Sequence, residues 1–95
     1  MEPLAIFNNK ERQQFQLETD AVLASLEYRL HEGQIVLMHT EVPDKLGGRG
    51  IGSALAEYAL NYARANGLPV KVYCPFVAAY IKRHPEQQDI VAKAD

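Results

Sequence analysis

The sequence predicts an α+β domain, a three-layer α/β/α arrangement whose helices pack on a mostly antiparallel sheet containing one parallel pair. Three observations predict it. Apolar residues alternate with period two through the first half of the chain, switch to a spacing of three and four from Ile51, and alternate again over residues 70–74. The links within the first half are hairpin-length, which makes its strands antiparallel neighbours. The link between the strands at 35–42 and 70–74 contains a whole helix, so those two run parallel.

Each element follows from its residues. Residues 4–7, Leu-Ala-Ile-Phe, offer an edge strand, and Phe15 and Leu17 with Gln16 and Glu18 read as the next one. Over residues 22–30, Val22, Ala24, Leu26, Tyr28 and Leu30 alternate with Ser25, Glu27 and Arg29, the pattern of a half-buried strand. Residues 35–42 are more uniformly apolar and therefore more central. Thr19-Asp20 and His31-Glu32-Gly33-Gln34 close the turns of this meander. Ile51, Leu55, Tyr58, Ala59, Tyr62 and Ala63 then form one stripe of an amphipathic helix that Asn66-Gly67 stops and Pro69 follows. After the strand at 70–74, Pro75 suits the first turn of a helix over 76–83, ended by His84-Pro85. Residues 86–95 are weakly patterned and expected to fray.

Length and charge exclude several functions. The 95 residues predict one domain, 1–95. Ten Lys and Arg residues are scattered in a chain of net charge −2, so no surface for nucleic acid is expected. No basic and apolar leader and no membrane-length apolar run is visible, and the expectation is a cytoplasmic protein without membrane contact. One cysteine, Cys74, precludes an internal disulfide, and His31 and His84 have no partner at metal-ligand spacing, so no metal is expected.

The segment "KLGGRGIGSAL", residues 45–55, places four glycines between strand and helix. Glycine weakens a regular element by roughly 0.5–1 kcal/mol, so such a cluster suggests that backbone must approach something closely. A Walker A loop fails because Ser53 stands where its lysine belongs, and a dinucleotide fingerprint fails because its third glycine is also Ser53. What remains is a run of small residues opening a helix, where free N–H groups and a partial positive charge of roughly +0.5 favour an anion, with Arg49 adding a charged contact. A plain tight turn is the competing reading.

His39 to Leu68, "HTEVPDKLGGRGIGSALAEYALNYARANGL", resembles motif A of the GNAT acetyltransferase superfamily, and "CPFVAAYIKRHPE" from Cys74 to Glu86 is similar to the matching segment of very small single-domain GNAT-like proteins. The likeness spans about residues 15–90. Gly47 departs from it, standing where the superfamily carries Gln or Arg. The resemblance implies acetyl-CoA as cosubstrate, with Gly47, Gly48, Arg49, Gly50, Ile51, Gly52 and Ser53 around its diphosphate and the backbone near Val42 beside its arm. It further implies direct transfer of acetyl to a primary amine, small or on a protein, with Tyr80 aligned to the tyrosine that protonates the leaving thiolate. His39 and Glu41 share a strand side and are both candidate bases. Cys74, placed before Pro75 and a helix N-terminus where thiols gain reactivity, is a candidate nucleophile, a contact to the cofactor sulfur, or a small core residue. A coenzyme A sensor or interaction module that catalyses little is the alternative, motivated by the short chain. An exposed edge strand leaves monomer and weak homodimer both open.

Overall fold

Four strands run up and down in sequence order before the chain reaches its glycine loop. In the computed structural model, which describes residues 5–92, they are β1 (Ile6–Asn9), β2 (Gln14–Thr19), β3 (Val22–His31) and β4 (Gln34–Glu41). A short 3₁₀ turn (Asp44–Leu46) leads to α1 (Ile51–Ala65), then β5 (Val70–Val72), α2 (Pro75–Arg83) and a second 3₁₀ segment (Pro85–Ile90). The sheet order is β1-β2-β3-β4-β5; the first three pairings are antiparallel and β4 with β5 is parallel. The α+β class, the meander and the parallel pair therefore stand as the periodicity predicts.

Alternation sorts the strand residues onto two faces. Phe15, Leu17, Ala24, Leu26, Tyr28, Ile35, Leu37 and Val70 are buried, and they pack with Leu55, Ala59, Leu60 and Ala63 of α1 and Val77 and Ile81 of α2. Phe15 is the aromatic hub, stacked on Tyr28 at 4.6 Å and meeting Tyr58 and Tyr62 edge-on at 5.4 Å each. Burying a leucine or phenylalanine of this kind stabilises the fold by roughly 1.5–3 kcal/mol.

Both helices lie on this one face, in contact with each other. Two layers are built among the described residues, not the three expected. The reason is in the connections. The β2–β3 and β3–β4 turns hold two residues each, with positive φ at both central positions (Asp20 and Ala21, Glu32 and Gly33), and the β1–β2 link holds four, so none supplies a helix for the far side. That far face leaves Phe7, Leu23 and Met38 exposed.

Smaller differences have local causes. The edge strand expected at 4–7 occupies Ile6–Asn9, Leu4 lying outside the described residues. Residues 86–92 do not hang loose as expected: Arg64 of α1 donates to both carboxylate oxygens of Asp89 (2.8 and 2.9 Å), and the Ala92 amide donates to the Val70 carbonyl at 2.7 Å. Residues 93–95 of the expected frayed stretch lie outside the described residues.

Candidate functional site

β4 and β5 separate at Leu37. Their pairing runs from Ile35↔Val70 to Leu37↔Val72, and the Leu37 carbonyl then accepts from both the Tyr73 amide (2.9 Å) and the Cys74 amide (3.2 Å). With one acceptor serving two donors, the ladder ends, and β5 stops two residues short of the expected 74. β4 continues to Glu41 against β3 alone.

A bulge sits at the same level. Tyr28 pairs with Leu37 but Glu27 pairs with His39, so Met38 is an extra residue. One extra residue reverses which face every later side chain takes. His39 and Glu41, which plain alternation would place beside the buried Leu37, instead share the uncovered face, Nε2 to Oε2 4.0 Å apart and 66% and 72% exposed. Thr40 turns toward the helices, and its Oγ1 meets the Cys74 Sγ at 3.0 Å, across the gap where the strands diverge. Cys74 itself is only 2% exposed.

The glycine loop opens beside this gap. Leu46 and Gly47 donate their amides within the 3₁₀ turn, to Pro43 (2.8 Å) and Asp44 (3.0 Å). From Gly48 to Ser53 no amide has a protein acceptor among the described residues, and the helical ladder begins with Ala54 donating to Gly50 at 3.0 Å. Gly50 caps α1 with φ +72°, a left-handed conformation that a side chain resists. A cavity of about 320 Å³ lies over these amides, walled by Val42, Asp44, Leu46, Gly47, Gly48, Gly50, Ile51, Gly52, Ser53 and Phe76. Arg49 points elsewhere, pairing with Asp20 of the β2–β3 turn at 2.9 Å.

Tyr80 stands one helical turn beyond Phe76 and is 4% exposed. Burial first, and the Glu57 carboxylate of α1 second, push its phenol above the ordinary value, so it stays protonated well into alkaline solution. Its ring packs on His84 at 4.3 Å. The residues singled out in the sequence thus divide into three groups: the loop around the cavity, His39 and Glu41 on the uncovered face, and Cys74 with Tyr80 in the packed layer. Two residues escaped the sequence reading. Thr40 was hidden by the bulge, and Phe76 was read as the first residue of the helix over 76–83, although its position directly after Cys-Pro was a usable signal. No group of His, Cys, Asp and Glu among the described residues is arranged to hold a metal ion.

A helix mouth with free amides beside a diverging parallel strand pair is a place where an anionic ligand can meet main-chain donors. The chain belongs to the GCN5-related N-acetyltransferase family, whose model matches residues 14–90. Among curated proteins it resembles Protein NATD1 of mouse, 34% identical over 89 residues that cover 90% of this chain and 81% of that one, and Protein NATD1 of human, 34% identical with 90% and 79% covered. Its structure is similar to the solution structure of a GCN5-like protein from Staphylococcus aureus, with a TM-score of 0.75 at 28% identity, covering all of this chain and 94% of the other.

Proposed function

We propose that this chain transfers an acetyl group from acetyl-CoA directly to a primary amine in the cytoplasm. The observation that carries the reading is the run of unengaged amides from Gly48 to Ser53 over the cavity at the α1 N-terminus. Such a terminus holds a diphosphate without needing a lysine. Here Gly48, Gly50, Ile51, Gly52 and Ser53 donate to the diphosphate, Gly47 shapes the cavity wall, and Arg49 contributes charge once it leaves Asp20. The arm of the cosubstrate passes Val42 toward the gap between β4 and β5.

Acetyl-CoA supplies the acyl group as a thioester, and the chain's residues handle charge and protons. Main-chain amides along β4 polarise the thioester carbonyl. His39 or Glu41, exposed to water, accepts the proton that the attacking ammonium must shed, a role typically worth about 10²–10⁴-fold in rate. Tyr80, kept protonated by its surroundings, gives a proton to the thiolate that leaves as the amide bond forms. Cys74, which meets Thr40 where the strands diverge, acts as a contact to the cosubstrate sulfur; direct transfer needs no acetyl-cysteine.

A second reading has its own observation. His39 and Glu41 lie on one side of the strand pair and Tyr80 on the other, and the uncovered face holds no described element that would enclose an acceptor. This suits a coenzyme A sensor or interaction module, monomeric or weakly dimeric. Calorimetry with coenzyme A followed by free-thiol release with a panel of amines separates the two. Binding with turnover that falls at least tenfold in both Tyr80→Phe and either His39→Ala or Glu41→Gln supports the enzyme; binding without turnover supports the sensor.

A further inference from the structure

Phe76 is a large aromatic left 39% exposed at the first turn of α2, and it forms the far wall of the cavity whose near wall is the glycine loop. Its seat is made by Gly52. A Cβ built on Gly52 would lie 2.6 Å from the tip of the Phe76 ring, with two further ring atoms at 3.0 and 3.2 Å. Gly52 is inside α1 and has no left-handed backbone to explain it, unlike Gly48 and Gly50 with φ of +79° and +72°. A helical position with ordinary φ prefers alanine by roughly 1 kcal/mol. A side chain at position 52 would displace the ring from its present place, and the ring occupies the space the glycine leaves. The two walls differ in chemistry. One offers main-chain donors from Gly48 to Ser53, and the other offers the carbon of the Phe76, Ile51 and Val42 side chains, with the Asp44 carboxylate also lining the cavity.

We infer that Phe76 is a specificity-determining residue: its ring, seated on Gly52, is the apolar surface on which the aliphatic arm attached to the diphosphate lies, so the site selects a diphosphate that carries such an arm over one that does not. The inference rests on the coenzyme A reading proposed above and adds the residue that distinguishes coenzyme A from nucleotide diphosphates sharing its anionic end. Anion binding by the amides is common to both ligand types; contact with the ring is not.

Calorimetric titration of the full chain with coenzyme A and with 3′-phosphoadenosine 5′-diphosphate, the same nucleotide without the arm, tests this. The wild type binds coenzyme A more tightly than the truncated nucleotide. Phe76→Ala weakens coenzyme A by about tenfold, the loss of roughly half a buried aromatic, and changes the truncated nucleotide by less than about twofold. Phe76→Leu retains apolar bulk, guards against misfolding, and falls between wild type and Phe76→Ala. Equal losses for both nucleotides, or no loss for coenzyme A in a variant whose thermal unfolding stays cooperative, overturn the inference while leaving the coenzyme A reading in place. A wild type that binds neither ligand removes that reading and this inference together.

Discussion

At the scale of single residues, the loop depends on backbone conformation more than on charge. Gly50 has φ +72° and open space where a Cβ would go, so Gly50→Ala meets strain without a clash. Forcing an alanine into the left-handed region costs about 1–2 kcal/mol. Thermal unfolding should record a loss of that size, and affinity for coenzyme A should fall with it, because the amide at position 51 is aimed by this residue. Arg49 behaves differently. Its partner Asp20 is half-exposed, and such a pair contributes at most about 1 kcal/mol to stability. Asp20→Asn should leave the unfolding midpoint nearly unchanged and strengthen coenzyme A binding by about two- to fivefold in low salt, since Arg49 is released toward the diphosphate. Weaker binding in this variant would show instead that Asp20 orients the arginine productively.

At the scale of elements, the C-terminal 3₁₀ segment is tied to α1 by the Arg64–Asp89 pair, beside the packing of Ile90 on the core. The Arg64 guanidinium, by its hydrogen bonds, holds the Asp89 carboxyl below its ordinary value of 3.8. A lowered folded value means stabilisation present above the ordinary value and lost as pH falls through the folded one. Hydrogen exchange at the Ala92 amide, bonded to Val70, should accelerate in Asp89→Asn at pH 7 relative to the amides of α1, and the wild type should lose that difference as the pH drops below about 4. The same tie explains a misread element. Residues 86–92 lack periodicity, so nothing local announced that Arg64, more than twenty positions earlier, would anchor them. The helices and central strands were legible because each carries its own period. β5 was legible in position but not in length, because its end is set by the Leu37 carbonyl accepting two amides.

At the scale of the whole molecule, stability rests on the single buried face. Leu26 and Leu60 are fully buried on opposite sides of it, and either leucine changed to alanine should cost about 2–5 kcal/mol in chemical denaturation. Two phenols in this layer respond to pH. Burial is the first cause that raises both Tyr28 and Tyr80 above 10.0, with Asn8 opposing it at Tyr28 and Glu57 adding to it at Tyr80. A raised folded value gives stabilisation that is complete below the ordinary value and is lost as pH rises through the folded one. The unfolding midpoint should therefore decline above about pH 10, and less steeply in Tyr80→Phe; an identical decline in that variant would place the cause elsewhere.

The order of strands and helices, the parallel pair and the glycine-rich opening of α1 were all determined by the sequence alone. These features depend on neighbours a few residues apart, on hydrophobic period, turn chemistry and glycine spacing, and a linear chain displays them directly. Tertiary structure alone decided the number of layers, the face that His39 and Glu41 occupy, the Thr40–Cys74 contact and the seating of Phe76 on Gly52. Each of these arises where one segment meets another: a bulge exists only against a partner strand, and a ring fits only against the glycine that leaves room for it.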